Sequence, residues 1–151
     1  MIKNVFDIKD SKDFIERINN LSKDSQPKWG SMSVGQMLAH CNVTYEMVYE
    51  DKHPRATGFK KFILKLLIKP LVVSEKPYKN NSRTAPQFLI TTEKDFEIEK
   101  NRLISYIEKT QKLGGASFEG KDSNSFGELT QLEWNNMFSK HLNHHLNQFG
   151  V

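Results

Sequence analysis

Hydrophobic positions along this 151-residue chain recur mostly at helical spacing, and strand alternation is nearly absent. Phe14, Ile15, Ile18 and Leu21 predict a first helix running to Leu21, opened and capped by Asp10 or Ser11. A polar loop punctuated by Pro27 follows. Ser33 suits an N-cap for a second helix with an apolar face of Val34, Met37, Leu38, Cys41, Tyr45 and Val48. His40 lies on the flank of that face, near Met37, Thr44 and Met47. Residues 58–73 read GFKKFILKLLIKPLVV, with Phe59, Phe62, Ile63, Leu66 and Leu67 on one side and Lys60, Lys61, Lys65 and Lys69 on the other. Pro70 is expected to end or kink this helix. The stretch 74–90, holding Pro77 and Pro86, reads as a long irregular crossover, a feature that is uncommon in compact domains and often functional. The next helix is expected to open at Thr91 or Thr92, with Glu93 and Asp95 at its positive end, a buried stripe of Phe96, Leu103 and Ile107, and a stop at Gly114 and Gly115. Residues 116–129, with Gly120 and Gly127, read as a loop. Thr130 and Glu133 then form a capping box for a final helix, and Gly150 lies just past its end.

Four substantial helices plus the basic one predict an all-α fold: an antiparallel-type bundle with the 74–90 connection as its one crossover. The length predicts one domain over 1–151, with a core large enough to need no staples. Hydrophobic content of 37% and charged content of 26% are ordinary for a globular chain, so they favour no special class. The single cysteine, Cys41, excludes an intrachain disulfide. With no apolar signal core after Met1 and no run of about 18 apolar residues, the expected location is cytoplasmic. The net charge of +4 is carried by lysines spread along the chain, which argues against a nucleic-acid reader. No phosphate-binding glycine loop, dinucleotide fingerprint or nucleophile elbow is present.

Candidate chemistry concentrates in the last helix. His141 and His145 are one turn apart, and at about 100° per residue they share a sector with Trp134, Met137, Phe138 and Phe149. Imidazoles within an apolar stripe need partners: either hydrogen bonds in the core or a divalent metal. Leu142 follows His141, so the helix lacks the glutamate of a zincin protease. His40 is the candidate third ligand, and three protein ligands would leave an open position for water or substrate. His144 points nearer the helix edge, and His53 precedes Pro54 in a loop. Cys41 points to the main apolar face and reads as a small core residue rather than a ligand. Glu46, Asp51 and Tyr45 lie on or just past the second helix as possible general bases, with nothing to select among them.

The stretch Trp29-Gly30-Ser31-Met32-Ser33-Val34-Gly35-Gln36-Met37-Leu38-Ala39-His40-Cys41 resembles the first signature of an uncharacterised family in the DinB/YfiT-like superfamily. Phe126-Gly127-Glu128-Leu129-Thr130, Glu133-Trp134 and the run from Lys140 to Gly150 resemble the second. The superfamily's H…H-x-x-x-H metal triad maps onto His40, His141 and His145. The resemblance implies a DinB-like four-helix bundle with a crossover, a bound divalent metal (usually zinc or nickel) and frequent homodimers. Some relatives of that kind are metal-dependent transferases using a low-molecular-weight thiol. The resulting expectation is a metal-dependent thiol transferase, or a hydrolase, acting on a small-molecule substrate. The alternative is a non-catalytic bundle that meets a partner or a membrane surface through 58–73. That segment also reads as an ordinary bundle helix with a solvated lysine face.

Overall fold

A computed structural model describes residues 2–151, so Met1 and its part in the reading of the N-terminus lie outside the described residues. The fold is all-α with bundle-like packing. Helix α1 (Ile8–Asn19) starts earlier than its spacing suggested, because Asp7 is the cap and accepts from the amides of Lys9 and Asp10. Asp10 instead accepts from the Asn4 amide at 2.7 Å. Helix α2 (Val34–Tyr49) opens on a capping box between Ser33 and Gln36 and is buried along most of its length. It packs on α5 (Phe96–Leu113) and on α6 (Gln131–Gln148).

Helix α5 begins at Asp95, whose side chain accepts from the Ile98 amide, and not at Thr91 or Thr92. The Thr92 carbonyl accepts from the Gln36 side chain, and Glu93 accepts from the Ser33 hydroxyl, so 91–94 forms an extended strap across the start of α2. The strap passes so close that a Cβ on Gly35 would sit 2.4 Å from the Lys94 carbonyl oxygen. Gly114, at φ 72°, stops α5 as expected.

The basic segment is not one regular helix. Pro70, expected to end or kink it, does not end the helical run, but regular α-helix is interrupted just before it. Helix α3 (Gly58–Ile63) passes through a π-helical stretch at Leu64–Ile68 into α4 (Lys69–Val73). A proline ring collides with the carbonyl four residues back; here the Lys69 amide reaches Leu64 in the wider turn, and the chain continues helical past the ring. Nor is this an ordinary bundle helix with only its lysines in water. Phe59 is 78% exposed, Phe62 and Leu66 59%, Leu67 58% and Leu71 64%.

Residues 116–129 are not wholly loop. A 3-10 turn (Gly115–Phe118) leads into β1 (Lys121–Ser123), paired antiparallel with β2 (Gly127–Leu129) in the register Lys121 to Leu129. Three-residue strands are too short to show alternation. The hairpin is pinned by Ser123, which accepts from the Phe126 amide and donates to the Gly127 carbonyl.

Helix α6 is the central element. Beyond the expected stripe of Trp134 and Phe138, it buries Asn135, Asn136, Ser139, Lys140, Leu142 and Gln148. The buried amides on it find partners in distant segments, as burial requires: Asn135 accepts from the Val5 amide at 2.8 Å, and Asn136 donates to the Val73 carbonyl at 2.9 Å. The aromatic core stacks Tyr45 between Tyr106 and Phe138, with Phe118 edge-on to Trp134 and Phe138. No helix among the described residues is long and apolar enough to cross a membrane.

Candidate metal centre

Three of the chain's five histidines meet where α2 and α6 pack. His40 on α2 and His141 and His145 on α6 offer ligand atoms that all lie within 4.8 Å of one another. Their rings are 4.5–4.9 Å apart, centre to centre. His40 and His145 are buried, and His141 is partly so. Burial pushes all three imidazoles below the ordinary histidine range, His145 to about 3, and mutual repulsion among the rings adds to it. At neutral pH the rings are therefore uncharged, the form a metal requires.

The outer nitrogens fix which atom each ring presents. His40 Nδ1 is 2.8 Å from the Phe88 carbonyl oxygen, which can only accept, so Nδ1 carries the proton and Nε2 a lone pair. Gln148 donates through Nε2 to the Trp29 carbonyl at 2.7 Å, which turns Oε1 toward His145 Nδ1 at 2.8 Å. That oxygen too can only accept, so His145 also carries its proton on Nδ1. No hydrogen bond reaches its Nε2 among the described residues, although the ring is only 7% exposed. His141 Nδ1 is 3.0 Å from the Thr44 hydroxyl, a group able to donate or accept. His141 Nε2 lies 2.9 Å from His40 Nε2. Without a metal, His141 can donate from Nε2 to His40 Nε2 and accept from Thr44; to hold a metal through Nε2 it would carry its proton on Nδ1 and donate to Thr44.

The donor set fits a divalent ion. Metal–nitrogen bonds of about 2 Å bridge nitrogens up to about 4 Å apart, so adjustment of these side chains by about 1 Å closes the set. Each of the three rings has its far nitrogen already held by a carbonyl, an amide or a hydroxyl, the arrangement that orients metal-ligating imidazoles. Thr44 and Gln148 were detectable from spacing, four residues after His40 and three after His145. The Phe88 and Trp29 carbonyls were not, because backbone groups of a short 3-10 turn (Pro86–Phe88) and a loop leave no trace in residue type.

The remaining candidates lie elsewhere. His144 sits beside the cluster, 4.9 Å from the His145 ring, with its edge toward Trp29 and Tyr78. His53 is paired with Glu46 at 2.7 Å. Cys41 is a buried core thiol whose pKa burial raises far above its ordinary value. The possible general bases are accounted for as well. Glu46 is tied to Lys52, His53 and Arg102, which together hold its carboxyl low. Tyr45 is locked in the aromatic stack, and Asp51 is exposed. None of these three lines the cavity into which His40 and His141 open.

That cavity has a volume of about 540 Å³ and is largely apolar. Leu64, Ile68 and Val72 of the basic segment cover it on one side. The crossover and the hairpin turn supply Arg83 and Phe126. Among the described residues, no aspartate or glutamate lines it, and Arg83 is the one lining side chain with a permanent charge.

No curated protein and no solved structure gives a significant match to this sequence. A family model described as "Protein of unknown function (DUF1569)" matches residues 1–150, and the chain belongs to that family.

Proposed function

We propose that His40, His141 and His145 hold one divalent metal, zinc or nickel, and that the protein is a DinB/YfiT-like thiol transferase acting on a small molecule. The observation that carries this reading is the set of three neutral imidazoles, each oriented from behind, at the floor of a cavity with no lining carboxylate. When bound, a divalent metal with an open position would supply Lewis acidity that favours the thiolate of a small thiol at neutral pH.

The chain's own part is to bind, orient and exclude water. The Phe88 carbonyl and Gln148 keep the Nδ1 protons of His40 and His145 turned away from the centre. With a metal bound, the Thr44 hydroxyl would accept a hydrogen bond from His141 Nδ1. Leu64, Ile68 and Val72 roof the cavity and keep an electrophile's apolar body out of water. With no side-chain carboxylate there to take a proton from water, a nucleophile brought in by the ligand suits the cavity better than one made by a general base. The thiol proton leaves to solvent, and the sulfur forms its bond to the electrophilic carbon as the leaving group departs with its electron pair. A hydrolase at the same centre is the close variant, in which water takes the thiol's place. In this reading residues 1–151 form one DinB-like domain.

The test is metal content by mass spectrometry of protein purified without chelator, followed by titration with a small thiol under spectroscopic observation of a cobalt-substituted sample. Stoichiometric metal and a thiolate-to-cobalt charge-transfer band are expected. Absence of metal, together with no rise in Tm on adding zinc or nickel, would refute the metal assignment. Metal without any thiol response would leave the centre and refute the thiol chemistry.

A further inference from the structure

The basic segment has two apolar sides, and only one has a partner. Leu64, Ile68 and Val72 cover the cavity. Phe59, Phe62, Leu66, Leu67 and Leu71 are each more than half exposed. The segment cannot roll to bury them, because α6 holds its C-terminal half in place. Glu133 pairs with Lys69 at 2.8 Å, Asn136 donates to the Val73 carbonyl, and Lys140 donates to the carbonyls of Leu71 and Ser74. Five large apolar side chains on one short stretch form a continuous patch of the sort that marks an interaction surface.

Charge selects the occupant. From Lys52 to Ser74 the chain contains no aspartate or glutamate and six cationic residues: Lys52, Arg55, Lys60, Lys61, Lys65 and Lys69. Arg55 and Lys61 meet Asp122, Lys69 meets Glu133, and Lys52 meets Glu46 and Glu50. Lys60 and Lys65 have no acidic partner among the described residues, and both are interleaved with the exposed Phe and Leu side chains. A second copy of the chain applied to this face would set those lysines against their own equivalents, with no acid on the segment to meet them. A surface that is anionic outside and hydrocarbon beneath meets both requirements. We propose that the outer face of residues 58–73 docks on an anionic membrane surface, lying in the interface without crossing it. This proposal stands independently of the metal centre.

Co-sedimentation of the full-length protein with phosphatidylcholine vesicles, with and without phosphatidylserine, tests it. Binding to the anionic vesicles at low salt is expected, together with its loss as salt rises. Replacing Lys60→Glu and Lys65→Glu together should weaken binding by at least about 25-fold, taking about fivefold per lysine. Phe59→Ser with Leu67→Ser should weaken it comparably. All four positions are exposed, so unchanged helical content and unchanged metal uptake serve as the folding check. No binding to anionic vesicles, or binding that neither variant reduces, overturns the proposal. So does a dimer in light scattering that Phe59→Ser with Leu67→Ser dissolves, since that result assigns the face to a second copy.

Discussion

Gln148 accepts from His145 Nδ1 through Oε1 at 2.8 Å and donates to the Trp29 carbonyl through Nε2 at 2.7 Å, so one amide ties the orientation of a candidate ligand on α6 to the loop before α2. Removing it unfixes the ring without removing the ligand atom. Gln148→Leu should therefore leave the centre formed and loosen it, weakening zinc affinity by about 10–100-fold, the usual effect of losing such a support. Competition with a chromophoric chelator measures this. Affinity equal to that of the unaltered protein would show that Gln148 serves packing alone.

Loss of a ligand differs from loss of its support. His141→Ala and His145→Ala should each abolish stoichiometric metal, because two imidazoles remain where three are needed. Helical content in far-ultraviolet circular dichroism should stay largely intact, since the core is carried by Trp134, Phe138, Leu142 and Leu146 on the same helix. A variant that keeps one equivalent of metal would remove that histidine from the ligand set.

The helices were legible in the sequence because their signals are local. Ser33 reads as an N-cap and Thr130 with Glu133 as a capping box in residue type alone, and the structure forms both, with Gln36 completing a box at Ser33 as well. The meeting of His40 with His141 and His145 was legible for a related reason: each sits at helical spacing beside a face that must be buried. Pro70 announced a disturbance but not its form, because its cost to a regular α-helix is absorbed by a π turn that no residue announces. The breadth of burial on α6 was also hidden. Asn135, Asn136, Lys140 and Gln148 look like a solvated face until their partners in distant loops are in place.

The metal-free protein should lose stability in weak acid. His40, His141 and His145 all have pKa values lowered on folding, chiefly by burial, with His145 reaching about 3. The unfolded chain takes up protons near pH 6.5 that the folded chain refuses. Their contribution is thus fully present above about pH 6.5 and is lost as pH falls toward the folded values, by about 1 kcal/mol per pH unit for each ring. Urea midpoints should hold steady between about pH 8 and 7 and fall between about 6 and 5, before most carboxylates titrate. His145→Gln should flatten that fall. A wild-type curve level down to about pH 5 would contradict the burial of neutral rings.

Lys140 precedes His141 in the chain and is only 5% exposed, yet its ammonium donates to the Leu71 carbonyl at 2.7 Å and the Ser74 carbonyl at 2.6 Å and lies 4.6 Å from the Tyr78 ring centre. Burial pulls its pKa down to about 8, which leaves it mostly protonated at pH 7 and able to donate to both carbonyls. These carbonyls end the helix that roofs the cavity, so Lys140 decides how firmly that roof is held. Lys140→Met keeps the apolar stem and removes the donors, stranding two carbonyls at a cost of about 1–3 kcal/mol. Hydrogen exchange should then speed up across residues 64–74 while α5 keeps its protection, since α5 makes no contact with that ammonium. Equal acceleration in both regions would mean that Lys140 supports the whole bundle, and no change in either would mean that Glu133 and Asn136 hold the roof without it.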